Sequence, residues 1–410
     1  MFNREFYIYL ASIILQYIIF LIIILYVTYY LYFKIKHNFW SMQPVVHYYN
    51  VFRRIKPCGI INNELPIINK YCNLIDIQTF DYVQLSSVDK QLIVNFLATY
   101  FLRSTELNTH YLPTFDSFDN YFKDQPQPSY ISIYSNKSSL INYNTKQHIN
   151  FKEILSVLTT RPLHVTINHT QPIDFLIYYV DYLCVHPLHR KKNISPQIIQ
   201  THEWHQRHNN LKINVSLFKR EGEITGIVPF ISYTTFAYKK LQVIKINNTS
   251  IQIVKIIPQT LNLFIDFIKE NYKQFDIIIT PHIANILNLL NKQLFLYVMK
   301  INNVIVSAYI FRNTQTLYHN KLMIECFGSI NAVNNNDKSN LFYKGFTLAY
   351  YEITKILKSK FIIIENISHN EEIINKLIEC KHIVATSPTA FFFYNYSSKT
   401  YNSNKAFIMY

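Results

Sequence analysis

Val180-Asp181-Tyr182-Leu183-Cys184-Val185-His186-Pro187-Leu188-His189-Arg190-Lys191-Lys192-Asn193-Ile194-Ser195-Pro196 is the stretch on which the reading of this chain turns. Phe175 to Val185 is apolar and rich in β-branched and aromatic residues, which predicts a strand. The chain then passes through Pro187 into the basic run Arg190-Lys191-Lys192. Ser195-Pro196 predicts a helix start, with Ser as the N-cap and Pro at the first helical position, and Ile198, Ile199, His202 and Trp204 on the packing face. A strand, a basic turn and a helix N-terminus together make an anion site. Unpaired amide hydrogens, the helix dipole and three adjacent cations suit a pyrophosphate. The same residues also suit a solvated basic turn that caps a helix, and their types alone leave both readings open.

Outward from this stretch, the elements repeat. On the N-terminal side, Leu92, Ile93, Phe96, Leu97, Tyr100 and Phe101 predict a helix of about four turns. A polar excursion follows from His110 to Gln147, with a short helix and a strand at Tyr130–Tyr134. Strands are expected at Ile154–Thr159 and Leu163–Ile167. On the C-terminal side, Leu261, Phe264, Ile265 and Ile268 form a helical stripe, and Asn302-Asn303 joins Phe295–Lys300 to Val304–Phe311 as a hairpin. A strand at Leu322–Phe327, a polar linker from Ala332 to Asn340, a helix at Leu341–Leu357, a strand at Phe361–Asn366, a helix at Glu371–Glu379 and strands at Ala390–Tyr396 and Lys405–Tyr410 complete the chain. Helix, hairpin, strand, helix, strand thus occurs twice. This order predicts an α/β (α+β) architecture, a duplicated acetyltransferase-like (GNAT-type) fold in two pseudo-symmetric halves, residues 37–230 and 231–410, with a seam near 225–255.

Ahead of both halves, Phe6 to Phe33 holds 28 residues without a charge. About 20 apolar residues cross a hydrocarbon core of roughly 30 Å, so residues 6–33 predict one transmembrane helix with length to spare. Tyr29, Tyr30 and Tyr32 suit an interfacial belt, and Lys34, Lys36, Arg53, Arg54 and Lys56 a basic flank. The run is too long for a signal-peptide core and no small-residue cleavage site follows it, so the anchor is expected to stay and to leave the folded part facing the cytosol. The five cysteines, Cys58, Cys72, Cys184, Cys326 and Cys380, form no C-x-x-C pair and read as reduced thiols. Cys184, inside an apolar strand, reads as inert. A formal charge of +15 suits an anionic ligand or membrane surface, but outside Arg190-Lys191-Lys192 there is no dense basic run and no nucleic-acid motif, so no nucleic acid is expected. His186, His189, His202, His205 and His208 lack a Cys or carboxylate array at zinc spacing, and no metal is expected. With five Gly in all, any phosphate site must use amides of other residues or side-chain cations.

Tyr182 to Pro196 resembles, without a gap, a signature of the glycylpeptide N-tetradecanoyltransferase (N-myristoyltransferase) family, Asn-Phe-Leu-Cys-Val-His followed by Lys-Lys-Leu-Arg-Ser-Lys-Arg-Val-Ala-Pro. Leu183, Cys184, Val185, His186, Arg190, Lys192 and Pro196 are identical. A second family signature, Phe-Trp-x-Thr-Gln-Pro-Val, looks like Phe39-Trp40-Ser41-Met42-Gln43-Pro44-Val45, and a third, Tyr-Tyr-Leu-Tyr-Asn-Trp, looks like Phe391-Phe392-Phe393-Tyr394-Asn395-Tyr396. The resemblance runs, thinly between motifs, from about His37 to Tyr410.

The resemblance implies a membrane-anchored, divergent relative whose N-terminal half binds myristoyl-CoA as co-substrate and whose C-terminal half shapes a groove for peptides or proteins that begin with glycine. It implies no prosthetic group and a monomer. Carried over by position, Asn38, Phe39 and Trp40 would touch the CoA moiety, Cys184 and Val185 would line its strand, and Arg190, Lys191, Lys192, Asn193, Ile194, Ser195 and Pro196 would hold the phosphates. The amides of Tyr182 and Leu183 would form the oxyanion hole, and the terminal carboxylate of Tyr410 would act as the base. Several positions depart from the family: Asn193 replaces an Arg, Met42 a Thr, Thr235-Phe236-Ala237 a Tyr-Trp-His, Asn366 an acidic residue and Phe407 a Gly. The Phe407 exchange is expected to shift the terminal carboxylate. A non-catalytic protein of the same fold that binds acyl-CoA or a protein partner is the alternative.

Overall fold

The computed structural model describes residues 4–50, 58–104, 108–141, 148–168, 171–222, 226–241, 251–333, 338–379 and 383–410. Arg53, Arg54 and Lys56 of the expected basic flank, Cys380 and part of the linker before residue 338 lie outside them.

The chain opens with α1 (Arg4–Lys36), apolar and long enough to cross a membrane. Helical hydrogen bonds continue from it through His37 into α2 (Asn38–Ser41), with His37 N–H on Phe33 O at 2.8 Å and Ser41 N–H on His37 O at 2.9 Å. The N-terminal half follows as β1 (Gly59–Ile60), β2 (Ile77–Asp81), α3 (Ser87–Tyr100), β3 (Thr109–Tyr111) and α4 (Phe115–Phe122). It goes on through β4 (Tyr130–Ile141), β5 (His148–Ile167), β6 (Ile173–Val185), α5 (Ile194–Asn209) and β7 (Ser216–Glu221). The C-terminal half begins with β8 (Ile231–Lys239), β9 (Ile251–Lys255), α6 (Leu261–Asn271), β10 (Ile277–Thr280) and α7 (Ile283–Leu289). It continues as β11 (Leu294–Ile301), β12 (Val304–Tyr318), β13 (Lys321–Asn331), α8 (Lys338–Leu357), β14 (Phe361–Glu365) and α9 (Asn370–Glu379). Three strands close it: β15 (Ile383–Tyr394), β16 (Tyr396–Ser397) and β17 (Ala406–Ile408).

The duplication is visible in the pairing. In the first half β4, β5 and β6 run antiparallel and α5 crosses to β7, which lies parallel to β6. In the second half β11, β12 and β13 run antiparallel and α8 crosses to β14, parallel to β13. At the seam β8 pairs with β14, the last long strand β15 returns to pair with β7 of the first half, and β8 and β15 pair with each other. The central order β6-β7-β15-β8-β14-β13 therefore has the same pattern of directions read from either end. Among the described residues one sheet of 15 strands results, which is the duplicated acetyltransferase-like α/β fold with an apolar helix at its N-terminus.

Local signals explain most element positions. Asn302 and Asn303 adopt φ of 50° and 65°, the left-handed pair that a two-residue hairpin turn requires. Two expectations are corrected. The strands expected at Ile154–Thr159 and Leu163–Ile167 are one, β5, because Pro162 falls where its missing N–H is harmless. On that edge β4 pairs with β5 up to Thr160 and β10 resumes at His164, which leaves Pro162 between partners. The helix expected to start at Ser195-Pro196 starts at Ile194, with Asn193 as its cap at φ 60° and no side-chain capping bond. Pro196 then sits in the first turn, where no intrahelical N–H is needed.

Packing is tight where α8 crosses the sheet. A Cβ at Gly345 would stand 2.3 Å from the hydroxyl of buried Tyr309 and 2.6 Å from Met299 Sδ. In an exposed helix, Gly→Ala gains about 1 kcal/mol. At this site the added methyl must displace Tyr309, whose hydroxyl donates to the Phe342 carbonyl at 2.7 Å, and overpacking of that kind costs about 1–3 kcal/mol. Gly345→Ala is therefore expected to lower the thermal midpoint, read by circular dichroism; a rise would show that the α8 seat is looser than its geometry.

Candidate functional site

The site begins where β6 parts from β7. The two pair only over Tyr178–Val180 against Ser216–Phe218, although β6 runs on to Val185. At the point of separation β6 carries a bulge: Leu158 faces Leu183 and Thr160 faces Val180, so Asp181 and Tyr182 together oppose Thr159. A bulge of this kind bends a strand and redirects its side chains. Beyond it, the β7-facing edge of β6 opens on a cavity of about 900 Å³, within the roughly 300–1,000 Å³ typical of small-molecule sites.

Trp40, Tyr182, Leu183 and Tyr410 all line this cavity, so residues from the start, middle and end of the chain meet there. Trp40 stacks on Phe218 with ring centres 5.6 Å apart, and Phe39 is buried against it. Gln43 of the same motif explains why that segment is held: its amide donates to Gln200 of α5 at 3.1 Å and its carbonyl accepts from Tyr394 of β15 at 2.7 Å. Asn38 is exposed and accepts from Lys70 at 3.3 Å. The Tyr182 N–H donates to Thr159 Oγ1 at 3.1 Å, so one of the two expected oxyanion donors is engaged within the protein. The Tyr182 hydroxyl is bonded to Tyr111 at 2.6 Å. Cys184 and Val185 are buried, and burial pushes the Cys184 thiol up to about 12, far from a nucleophile.

Arg190, Lys191, Lys192 and Asn193 do not line the cavity; they lie in the exposed turn just beyond the end of β6. Arg190 is drawn back to the strand by a bond from Nε to the Val185 carbonyl at 3.2 Å. Lys191 and Asn193 adopt φ of 62° and 60°, and the start of α5 at Ile194, Ser195 and Pro196 has no side-chain cap. An uncapped helix start beside three cations fits a phosphate group.

The cavity floor and the buried layer beneath it hold charges that motif reading missed, with Asp181, Lys219, Arg312 and Glu325 on the lining and Arg161 and Glu365 buried beneath. Arg161, fully buried, bonds through Nε to Asp181 Oδ2 at 3.2 Å, through one terminal nitrogen to Asn285 at 3.3 Å and through the other to the Tyr121 hydroxyl at 2.9 Å. Tyr121 donates on to Asp181 Oδ1 at 2.7 Å. Burial pushes the Asp181 carboxyl up to about 6 against the pull of Arg161. Next to it, the Tyr410 hydroxyl accepts from Lys219 at 2.9 Å and Arg312 at 3.0 Å and donates to Glu365 at 2.7 Å. Lys219 also pairs with Glu365 at 2.5 Å, and Arg312 pairs with Glu325. Burial, helped by the charge of Glu325, raises Glu365 to about 7 although Lys219 opposes the shift. The signal for this floor was present in part, as Glu325 alone inside the apolar run Met323–Phe327 and as Lys219, Arg312 and Glu365 each directly after an apolar residue.

Two departures take on a structural meaning. Phe407 is fully buried on β17 beside Phe275, and Tyr410 still lines the cavity, so the larger side chain is absorbed by the core. At Asn366 the acidic group is missing, but Glu365 one residue earlier supplies a carboxylate to the floor.

The sequence matches no family model and no curated protein. Among solved structures, the fold is similar to that of N-myristoyltransferase from Saccharomyces cerevisiae crystallised with bound myristoyl-CoA. One such structure gives a TM-score of 0.67 at 13% identity, covering 90% of this chain and 89% of that one. A second gives 0.65 at 13% identity, with 90% and 94% covered, and a third, which also holds inhibitors, gives 0.64 at 13%, with 90% and 91% covered. The resemblance in fold thus spans nearly the whole of each chain.

Glu365 makes a pH test available. Its folded value of about 7 lies above its ordinary 4.5, so its contribution to stability is full below about 4.5 and is lost as pH rises through about 7. At about 1.4 kcal/mol per unit, the loss is about 3 kcal/mol or slightly more. Glu365→Gln removes this titration, so its stability relative to the parent is expected to improve steadily from pH 5 to pH 8 in urea denaturation. A difference independent of pH would show Glu365 to be an ordinary ionised partner of Lys219.

Proposed function

We propose that the protein is an acyltransferase that moves a myristoyl group from CoA to the N-terminal glycine amine of a peptide or protein by direct attack. The observation that carries this reading is the single cavity in which the open edge of β6 at Leu183 meets Trp40 and Tyr410, with the basic turn and the uncapped start of α5 at the end of the same strand. In this reading Asn38, Phe39 and Trp40 hold the CoA moiety, and Arg190, Lys191, Lys192 and the amides of Ile194 and Ser195 hold its phosphates. The amine nitrogen attacks the thioester carbonyl, the new C–N bond forms as the C–S bond breaks, and CoA leaves as the thiolate, which takes the second proton from the former amine nitrogen and departs as the thiol. The Leu183 N–H stabilises the developing oxyanion, joined by the Tyr182 N–H when it turns from Thr159. Loss of one such donor costs about 3–4 kcal/mol of barrier stabilisation. The main-chain carboxylate of Tyr410 takes the proton that converts the acceptor ammonium to the attacking amine. Residues 6–33 anchor the protein as a single membrane span, and Lys34 and Lys36 favour a cytosolic folded part.

The direct test uses the full chain in detergent with labelled myristoyl-CoA and a panel of glycine-initiated peptides, read by mass spectrometry for an amide-linked product. Binding of acyl-CoA without product would replace the transferase reading with that of a non-catalytic binder. The phosphate turn is tested separately. Each charge-assisted contact is worth about 1.5–3 kcal/mol, so Arg190→Ala and Lys192→Ala are each expected to weaken CoA binding at least about tenfold by calorimetry, and unchanged affinity would remove the turn from the site. Residues appended after Tyr410 are expected to abolish transfer and leave CoA binding intact. Full activity of the extended chain would eliminate the carboxylate as base.

A further inference from the structure

α1 is seated on the folded part, not hung from it. Tyr26 donates from its hydroxyl to the Tyr49 carbonyl at 3.3 Å, and Tyr30 meets the Tyr49 ring edge-on at 5.1 Å. Phe33, 3% exposed, lies against the rings of His47 and Tyr49. The seat is itself braced, since His47 bridges Ile227 and the Val228 N–H donates to the Val46 carbonyl at 2.7 Å. Gly226 makes the close approach possible: a Cβ there would stand 2.0 Å from Phe33 Cε2.

A helix of 33 residues is about 50 Å long at about 1.5 Å per residue, against a hydrocarbon core of roughly 30 Å. The excess falls at the C-terminal end, where Tyr26, Tyr29, Tyr30 and Tyr32 suit the headgroup layer and Lys34 and Lys36 its outer edge. Contacts that begin at Tyr26 therefore begin at the level of the lipid headgroups.

The segment from Leu65 to Ile75 stands beside the end of this helix. Lys70 bonds to Asn38, and Tyr71 packs edge-on against Phe39 at 5.2 Å. Its far end is tied to α5, with the Asn73 N–H on Thr201 Oγ1 at 2.9 Å and the Asn73 side-chain amide on Gln197 at 3.2 Å. Although its backbone is held in this way, the segment turns Ile67, Ile68 and Ile75 outward, 80%, 62% and 88% exposed. Single exposed apolar residues are ordinary on a protein surface. Three on one ordered segment next to an apolar helix mark a surface that meets an apolar partner.

We propose that this face of the protein rests on the bilayer. The Phe33 seat fixes the attitude of the folded part relative to α1, Ile67, Ile68 and Ile75 enter the lipid interface beside the span, and Lys34, Lys36 and Lys70 lie against anionic headgroups. Because the segment is tied to α5, the basic turn at the start of that helix is held close to the membrane surface. The proposal rests on the membrane reading of α1 and not on catalysis.

The test uses the full chain in vesicles of phosphatidylcholine and phosphatidylserine, with the two native tryptophans replaced as Trp40→Phe and Trp204→Phe. A single reporter is then introduced as Ile68→Trp, or as Val304→Trp for an exposed hairpin position away from the anchor. Ile68→Trp is expected to be quenched by brominated lipid at least twofold more than Val304→Trp. Adding Gly226→Leu, which unseats Phe33, is expected to bring the two reporters together while the protein still floats with the vesicles. Equal quenching without Gly226→Leu would overturn the proposal and leave the anchor in place. Failure to float would overturn both, and the transfer assay in detergent would be untouched by either result.

Discussion

The structure depends on one break in an otherwise continuous sheet. After Val180, β6 no longer pairs with β7, and the bulge at Asp181–Tyr182 turns the strand at that point. A strand edge without a partner inside a folded protein leaves polar backbone groups in search of one, and such groups cost free energy when buried unsatisfied. The Tyr182 N–H is met by Thr159. The remainder of the edge faces the cavity, and the chain is arranged around it: Trp40 from the N-terminal segment on one wall, Phe218 and Lys219 of β7 on another, Tyr410 on the floor. Arg161 and Asp181 pin the bulge from beneath, with each guanidinium nitrogen bonded, Nε to Asp181 and the two terminal nitrogens to Asn285 and Tyr121. A buried ion pair offers little net stability over an apolar pair of the same size, but loss of one partner is severe, so this one reads as a device that holds a geometry.

Legibility in the sequence followed the range of the interaction. The strand, basic turn and helix at Phe175 to Asn209, the Asn302-Asn303 hairpin and the helices α6 and α8 are set by residues close together in the chain, and the periodicity and turn chemistry of those residues located them. The pairing of β8 with β14 and β15, and of β15 with β7, was not legible. It joins positions more than a hundred residues apart, such as Thr235 with Glu365 and Ser387, and no local pattern carries such a register. Pro162 misled for the same reason: its tolerance within β5 depends on where β4 ends and β10 begins. Trp40, Tyr182, Leu183 and Tyr410 were picked out by motif and do converge, whereas Lys219, Glu325 and Glu365 carry no motif and emerge only from their mutual distances.

Electrostatics beneath the cavity are nearly self-contained. Lys219 and Arg312 face Glu365 and Glu325, with the Tyr410 hydroxyl bonded to three of the four. Burial raises Glu365 and the nearby charge of Glu325 adds to the shift, while Arg312 holds Glu325 below its ordinary value. The ring of Tyr410 is enclosed by Tyr179, Phe327 and Phe391 and lies under the guanidinium of Arg312 at 4.4 Å. Its position is therefore fixed from its side chain, and the main chain at residue 410 is held in place by the same contacts.

The duplicated fold contains a second opening of the same kind, and its treatment explains why one half alone presents a cavity at this place. β13 pairs with β14 only from Met323 to Cys326 and then runs on to Asn331, as β6 runs on past β7. In this half the edge is filled by the protein itself. The Ser368 hydroxyl accepts from the Ser329 N–H at 3.0 Å, His369 Nδ1 accepts from the Asn331 N–H at 2.8 Å, and Asn370 bonds both the Ser329 hydroxyl and the Cys326 carbonyl. Three consecutive residues after β14 thus occupy the place that the first half leaves to the cavity. Side chains that satisfy a strand edge from within exclude a ligand from it, so duplication with one edge plugged and one open yields a single asymmetric site between two similar halves. The open edge is the one that leads into the basic turn and the uncapped helix, which is where a charged ligand has donors to meet.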